Sequence, residues 1–231
     1  MKVVIELLRH YCQRGVGLGK FRVEDLTTPQ LNTMGSTQDL REQLALIRAR
    51  LPESPIYAVG VSAGSALLVR YLGEEGVRSQ IQSAVAYCPG YDISVAWSRA
   101  QPRYSRLMAR RLKKYFLLRH ASILEQLGSY DTCLASGDLA EFHERLYEMA
   151  GYRDYADYLR NSNPVSVMSQ VAVPVMIINA LDDPVCVAAN AADHVDAIRR
   201  VPDALLVRTA HGSHCAFFEG WSPSSWAHRL M

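Results

Sequence analysis

The chain is expected to form an α/β fold, a mostly parallel sheet with helices on both faces, and three observations point there. Apolar β-branched runs alternate with helical patterns along most of the chain. One run breaks sharply into Gly60-Val61-Ser62-Ala63-Gly64. Carboxylate and histidine pairs follow two later runs directly. Strands that alternate with helices pair in parallel, because each helix carries the chain back across the sheet.

The elements follow in order. Residues 3 to 8 form an opening strand, and residues 13 to 36, with Gly15, Gly17, Gly19, Gly35 and the break Thr27-Thr28-Pro29, read as a long surface loop. A helix is expected over 37 to 49, with Leu40, Leu44 and Ile47 on one face, and Ser54-Pro55 ends the connection. The run from Ile56 is the next strand, followed by a helix whose apolar face holds Ala66, Leu67, Leu68, Val69, Tyr71 and Leu72. A short buried strand spans 83 to 88 and closes at Pro89-Gly90. Strand signal then disappears, and helical patterns fill an insertion over about 100 to 160, placed where a lid over a site would lie. Strands return at 173 to 179 and 204 to 208, separated by a helix over 189 to 199, and a terminal helix follows Trp221.

At 231 residues, 49% hydrophobic and 21% charged, the chain reads as one domain over 1–231 with no linker or low-complexity stretch. A net charge of +2, without basic and aromatic interleaving, argues against nucleic acid as a partner. Cys12, Cys88, Cys133, Cys186 and Cys215 are odd in number and contain no C-x-x-C pair, so they read as small core residues in a reducing compartment. The apolar start is too short and too soon charged for a signal peptide, and no run reaches the roughly 20 apolar residues of a membrane span. A cytoplasmic location, with any membrane contact peripheral, is the expectation.

Gly60-Val61-Ser62-Ala63-Gly64 has the G-x-S-x-G form of a nucleophile elbow, a serine on a tight strand-to-helix turn. At roughly 7% usage for Gly and Ser, the bare pattern arises by chance in about one chain of this length in ten. The flanking strand and helix supply the weight. A serine hydroxyl needs a base to remove its proton, and the base needs an acid to hold its tautomer. Asp182-Asp183-Pro184 follows the strand ending at Asn179, and His211-Gly212-Ser213-His214 follows the strand ending at Arg208, giving the order Ser, Asp, His. Asp183, held beside the rigid Pro184, is the better acid and Asp182 the alternative. His214, after Gly212-Ser213 and opening a helical pattern, is the better base and His211 the alternative. The backbone N–H of Ala63 would face the oxyanion. This chemistry needs no metal and no cofactor.

Gly60 to Gly64, the segment from Tyr152 to Pro164, Asn179-Ala180-Leu181-Asp182-Asp183, and His211 to Gly220 together resemble the α/β-hydrolases of a lipase-related family. That family includes the phospholipase-like α/β-hydrolase-domain proteins of animals and the YheT-like hydrolases of bacteria. The resemblance runs from about Gln13 to Trp221, and in it the triad carries over to Ser62, Asp183 and His214. It implies a mostly parallel α/β-hydrolase sheet with a helical lid insertion, acting on carboxylic esters, some of them phospholipids or acylglycerols. Two departures stand out. Ala63 and Ser65 replace the family's methionine and last glycine. The resemblance also places residues 11 to 15 on the fourth strand of the fold, so the chain reads as N-terminally truncated: three strands, and the H-G turn with a second oxyanion donor, would precede Met1. The third strand normally lies between the fourth and the elbow strand, so its loss would expose ladder groups and apolar faces at the sheet centre, unless the chain's first residues repair the sheet.

In the insertion, Tyr104, Met108, Leu112, Tyr115 and Phe116 read as one helical stripe, with Arg99, Arg103, Arg106, Arg110, Lys113 and Lys114 on the other surface. Such a helix suits contact with lipid, or else packs on the core with a solvated basic face. The expected function is a serine carboxylester hydrolase on lipid or other small-molecule esters. The alternatives are a catalytically weak or inactive hydrolase body serving as a binding or regulatory protein, and an amidase or peptidase on the same triad.

Overall fold

The computed structural model describes residues 3–7, 26, 28–222 and 224–230. Among the described residues, five parallel strands form one sheet, in the order β1 (Val3–Leu7), β2 (Ile56–Val61), β3 (Ile81–Tyr87), β4 (Val175–Ala180) and β5 (Ala204–Thr209). All five were legible as apolar runs, to within two residues at each end. The first of them changes the expectation for the elbow strand. Val3 pairs with Ile56 and the register continues to Leu7 with Gly60, so β2 is flanked on both sides. The residues assigned by resemblance to a fourth strand, 11 to 15, lie outside the described ones, as do the loop from 13 to 25 and Cys12.

Alternation along the strands sorts the core into two faces. On one, Ala84 and Ala86 of β3 and Ile177 of β4 pack with Leu67, Leu68 and Leu72 of α2 (Ala63–Glu75) and with Leu40 and Leu44 of an earlier helix, α1 (Thr37–Arg50). On the other, Tyr87 and Ile178 pack with Phe217 and with Ala227 of a C-terminal helix spanning Trp226–Leu230. A strand covered on both faces must be apolar at nearly every position, which is why the runs are continuous rather than alternating.

Between β3 and β4 the chain is helical: α3 (Ile93–Arg99), α4 (Pro102–Leu112), a π-helical turn at Lys113–Leu117, then α5 (Ala121–Leu124), α6 (Tyr130–Leu134), α7 (Leu139–Arg145) and α8 (Tyr155–Ser162). Aspartates set the starts of α7 and α8: Asp138 accepts from the Glu141 N–H at 3.1 Å and Asp154 from the Asp157 N–H at 2.7 Å, caps worth about 1 kcal/mol each. The helix expected over 189 to 199 is divided, into Ala188–Ala192 and Val195–Arg199. At the break, the His194 ring donates to the Asn190 carbonyl at 2.7 Å and stacks on Tyr91, fixing a non-helical backbone there.

A buried arginine joins the nucleophile helix to the end of the insertion. Arg70 of α2 donates to the carbonyls of Arg160 and Asn163 at 3.2 and 3.1 Å and to the Ser166 hydroxyl at 2.8 Å, while Glu74 neutralises it. One turn on, a Cβ at Gly73 would stand 2.3 Å from the Val167 carbonyl oxygen, so only glycine admits this approach.

Candidate active site

Ser62 links β2 to α2 with φ 53° and ψ −118°, a conformation costing a residue with a Cβ about 1–3 kcal/mol. Neighbouring groups hold it there. The Ser62 N–H donates to the Tyr87 carbonyl at 2.8 Å, tying the turn to the end of β3, and the Ser62 carbonyl accepts from the Ser65 N–H at 2.9 Å. Gly60 lets the helix return so closely over the strand: a Cβ there would lie 2.5 Å from the Gly64 oxygen and 2.7 Å from the Ser65 Cα.

The sheet carries two further loops to the same place. After β4, the Asp183 carboxylate is fully buried and its Oδ1 accepts from the N–H groups of Val185 and Cys186, both at 2.8 Å. After β5 the chain turns sharply, with Ser213 and Cys215 at φ 47° and 65°. His214 sits in this turn, and the helical pattern expected after it is instead a turn leading into a two-residue strand, Phe218–Glu219. Close contact sets the loop's path, since a Cβ on Gly212 would lie 2.5 Å from the Phe217 ring.

These loops bring three side chains into line. Ser62 Oγ lies 2.8 Å from His214 Nε2, and His214 Nδ1 lies 2.9 Å from Asp183 Oδ2. The alternatives sit outside the line. Asp182, 41% exposed at its side chain, accepts from the Ser213 N–H at 2.7 Å and stands 3.6 Å from the His211 ring, which is 91% exposed. Ala63 opens α2, where the first N–H groups of a helix lack intrahelical acceptors.

Reading the sequence missed the surroundings of the histidine. Cys88, Cys186 and Cys215, from three separate loops, gather about His214, and two groupings there have metal-ligand spacing: Cys88, His214 and Cys215, and Asp183, Cys186 and His214. The bond with Cys215, then burial, pushes the Cys88 thiol pKa well up, and burial followed by Asp183 does the same for Cys186, so both thiols are uncharged near neutral pH. The one local signal was that each cysteine stands in the connection that follows the C-terminal end of a strand.

Of the expected stripe, Met108, Leu112 and Phe116 pack against buried clusters, and Tyr104 and Tyr115 do not. The buried line of α4 runs through Ser105 and Ala109, with Met108 and Leu112 half-buried in the cluster that also holds Ala63. Tyr104 and Tyr115, read as part of an apolar stripe, instead share the solvent side with Leu107, Leu118, Arg103, Arg106, Arg110, Arg111 and Lys114. Lys113 leaves the basic face by donating to the Ser136 carbonyl at 2.5 Å, and Arg99 leaves it by pairing with Asp193 at 2.7 Å.

A parallel sheet with a serine at a tight strand-to-helix turn, and an acid and a histidine after later strands, is the arrangement of hydrolytic α/β proteins. Residues 13–220 match the family model for the alpha/beta hydrolase fold, and the chain belongs to that family. It is 29% identical over 214 residues to human Protein ABHD15, covering 89% of this chain and 44% of that one. It is 28% identical over 209 residues to mouse Phospholipase ABHD3 (87% and 49% covered) and 23% identical over 235 residues to mouse Monoacylglycerol lipase ABHD2 (93% and 55%). The chain thus spans about half the length of these relatives. Among the described residues, no helix is long and apolar enough to cross a membrane.

Proposed function

We propose that this protein is a serine hydrolase of lipid acyl esters, with Ser62 as nucleophile, His214 as general base and Asp183 as its orienting acid. The supporting observation is the line of hydrogen bonds at 2.8 and 2.9 Å assembled from three loops at the C-terminal ends of β2, β4 and β5. His214 Nε2 takes the Ser62 proton as Oγ attacks the ester carbonyl. Asp183 stabilises the imidazolium, which then protonates the leaving alcohol. Water activated by the same ring nitrogen hydrolyses the acyl-enzyme. The Ala63 N–H at the positive end of α2 stabilises the oxyanion. The names of the relatives, a phospholipase and a monoacylglycerol lipase, support lipid esters as the substrate class.

The helices between β3 and β4 serve as a lid within one domain. One side of α4 reaches the cluster around Ala63, while its other side presents Tyr104 and Leu107 and the turns that follow present Tyr115 and Leu118, each about half exposed, among arginines and lysine. Apolar side chains that insert and cations that meet phosphate suit an anionic lipid surface, making the membrane contact peripheral.

A fluorophosphonate probe tests the assignment, together with matched ester and amide substrates carrying the same acyl group. Labelling and ester hydrolysis that Ser62→Ala abolishes are expected. Labelling that survives Ser62→Ala overturns the nucleophile. A cooperatively folded protein that never labels supports a binding role, and faster turnover of the amide supports an amidase.

A further inference from the structure

The hydrolytic line employs none of the thiols that surround it. Cys88 Sγ, Cys215 Sγ and a ring nitrogen of His214 all lie within 4.8 Å of one another. Cys88 is fully buried, Cys215 is half-buried, and His214 is 18% exposed at its side chain, so the group has a closed floor and an open side. Both cysteines are free thiols. Both also have left-handed backbones, φ 51° at Cys88 and 65° at Cys215, and the Cys88 N–H is tied to the Ile178 carbonyl at 2.8 Å. Two loops thus bring both thiols to the same side of one imidazole.

We propose that Cys88, Cys215 and His214 bind a soft divalent cation, Zn2+ above all, and that the bound ion switches the hydrolase off. Zinc takes thiolate sulfur at about 2.3 Å and imidazole nitrogen at about 2.0–2.1 Å in tetrahedral geometry, which sets ligand atoms roughly 3.5–3.8 Å apart. A rotation of the half-exposed Cys215 side chain supplies the contraction needed. Each thiol loses a proton on binding, and two thiolates balance the ion's two positive charges. Thiolate and imidazole favour zinc or cadmium over magnesium or calcium. The fourth position, on the open side, takes water.

Inhibition follows from the imidazole having two nitrogens, both already engaged. Nε2 faces the Ser62 hydroxyl at 2.8 Å, and Nδ1 faces Asp183 at 2.9 Å. Coordination through either one removes the serine's base or that base's orienting partner. The inhibitory half of the proposal rests on the hydrolase reading; the binding half does not.

The test uses the whole protein, stripped with a chelator. Cadmium titration should raise the ultraviolet thiolate-to-metal charge-transfer band at one ion per chain, and equilibrium dialysis should find one zinc. Cys88→Ser and Cys215→Ser should each weaken binding at least about tenfold, with the half-exposed Cys215 the milder change for folding. Cys133→Ser, in the helical insertion, should bind as the parent does. Zinc should block fluorophosphonate labelling of Ser62, and chelator should restore it. Absence of the band, or parental affinity in Cys215→Ser, overturns the site. Weakening by Cys186→Ser alone reassigns the ion to the Asp183 grouping and equally overturns it. Full labelling of zinc-loaded protein refutes the switch, whereas no labelling of stripped protein refutes the hydrolase reading and leaves the band to decide the site.

Discussion

Asp182 and Asp183 are neighbours in the chain that grip the same loop at different depths. The Asp182 carboxylate holds the Ser213 N–H at the surface, and the Asp183 carboxylate, buried beneath it, holds the His214 ring. The outer contact positions the turn, and the inner one orients the His214 ring.

The two should respond differently to the same substitution. In Asp183→Asn, the Val185 and Cys186 N–H groups keep the amide oxygen at the Oδ1 position, which turns the NH2 group toward His214 Nδ1 and imposes the wrong tautomer. A loss in kcat of about 10,000-fold is expected. In Asp182→Asn, an oxygen still accepts from Ser213, and a loss under about tenfold is expected from one exposed hydrogen bond. Ester turnover of the two variants settles the order.

Replacing the histidines should separate them as sharply. His211→Ala removes an exposed ring and should leave turnover within a few-fold of the parent. His214→Ala should abolish both turnover and probe labelling while the thermal transition stays cooperative. Comparable losses in the two variants would reverse the assignment.

Gly60→Ala should harm folding and activity together. Its methyl meets the backbone of Gly64 and Ser65 rather than movable side chains, so strand and helix must part. Overpacking of this kind costs about 1–3 kcal/mol, readable as a lowered denaturation midpoint, and probe labelling should fall with it.

Acid should destabilise the fold through His143. Burial holds this ring's pKa down at about 4, against 6.5 when exposed, where it stacks on Trp97 and donates to the Leu139 carbonyl. A pKa lowered by folding means that the unfolded chain binds the proton first. Stability is therefore complete above pH 6.5 and declines toward pH 4, by up to about 1.4 kcal/mol per pH unit. Urea midpoints across that range should fall less steeply in His143→Gln.

Lipid contact should be electrostatic at first and apolar at close range. Co-sedimentation with vesicles should rise with anionic lipid content and fall with salt. Reversing Arg106, Arg110 and Lys114 to glutamate should abolish it, and Leu107→Ser with Leu118→Ser should weaken it. Binding indifferent to all of these would remove the docking face.

Local chemistry was readable where local rules govern. Continuous apolar runs marked the strands, Gly60 and Gly64 marked the turn, and Pro184 pointed to the buried aspartate. The insertion defeated the same approach for a physical reason. A helix that closely approaches a core puts small residues at the contact, here Ser105 and Ala109, so the large apolar side chains marked the inner face only in part: Met108 and Leu112 flank it, and Tyr104 and Leu107 turn outward. The π-helical turn at Lys113–Leu117 then shifts the angular phase, and a 3.6-residue period cannot be carried across it. The pairing of β1 with β2, and the meeting of Cys88, Cys186 and Cys215, join residues far apart in the chain, and no local pattern encodes them.

Ser62 and His214 are separated by 152 positions. A chain whose strands have paired only as far as β3 already fastens the Ser62 turn to the Tyr87 carbonyl, yet lacks both the His214 ring and the Asp183 carboxylate that holds it. On the proposed roles, the hydroxyl gains its base only once the last two strands have docked.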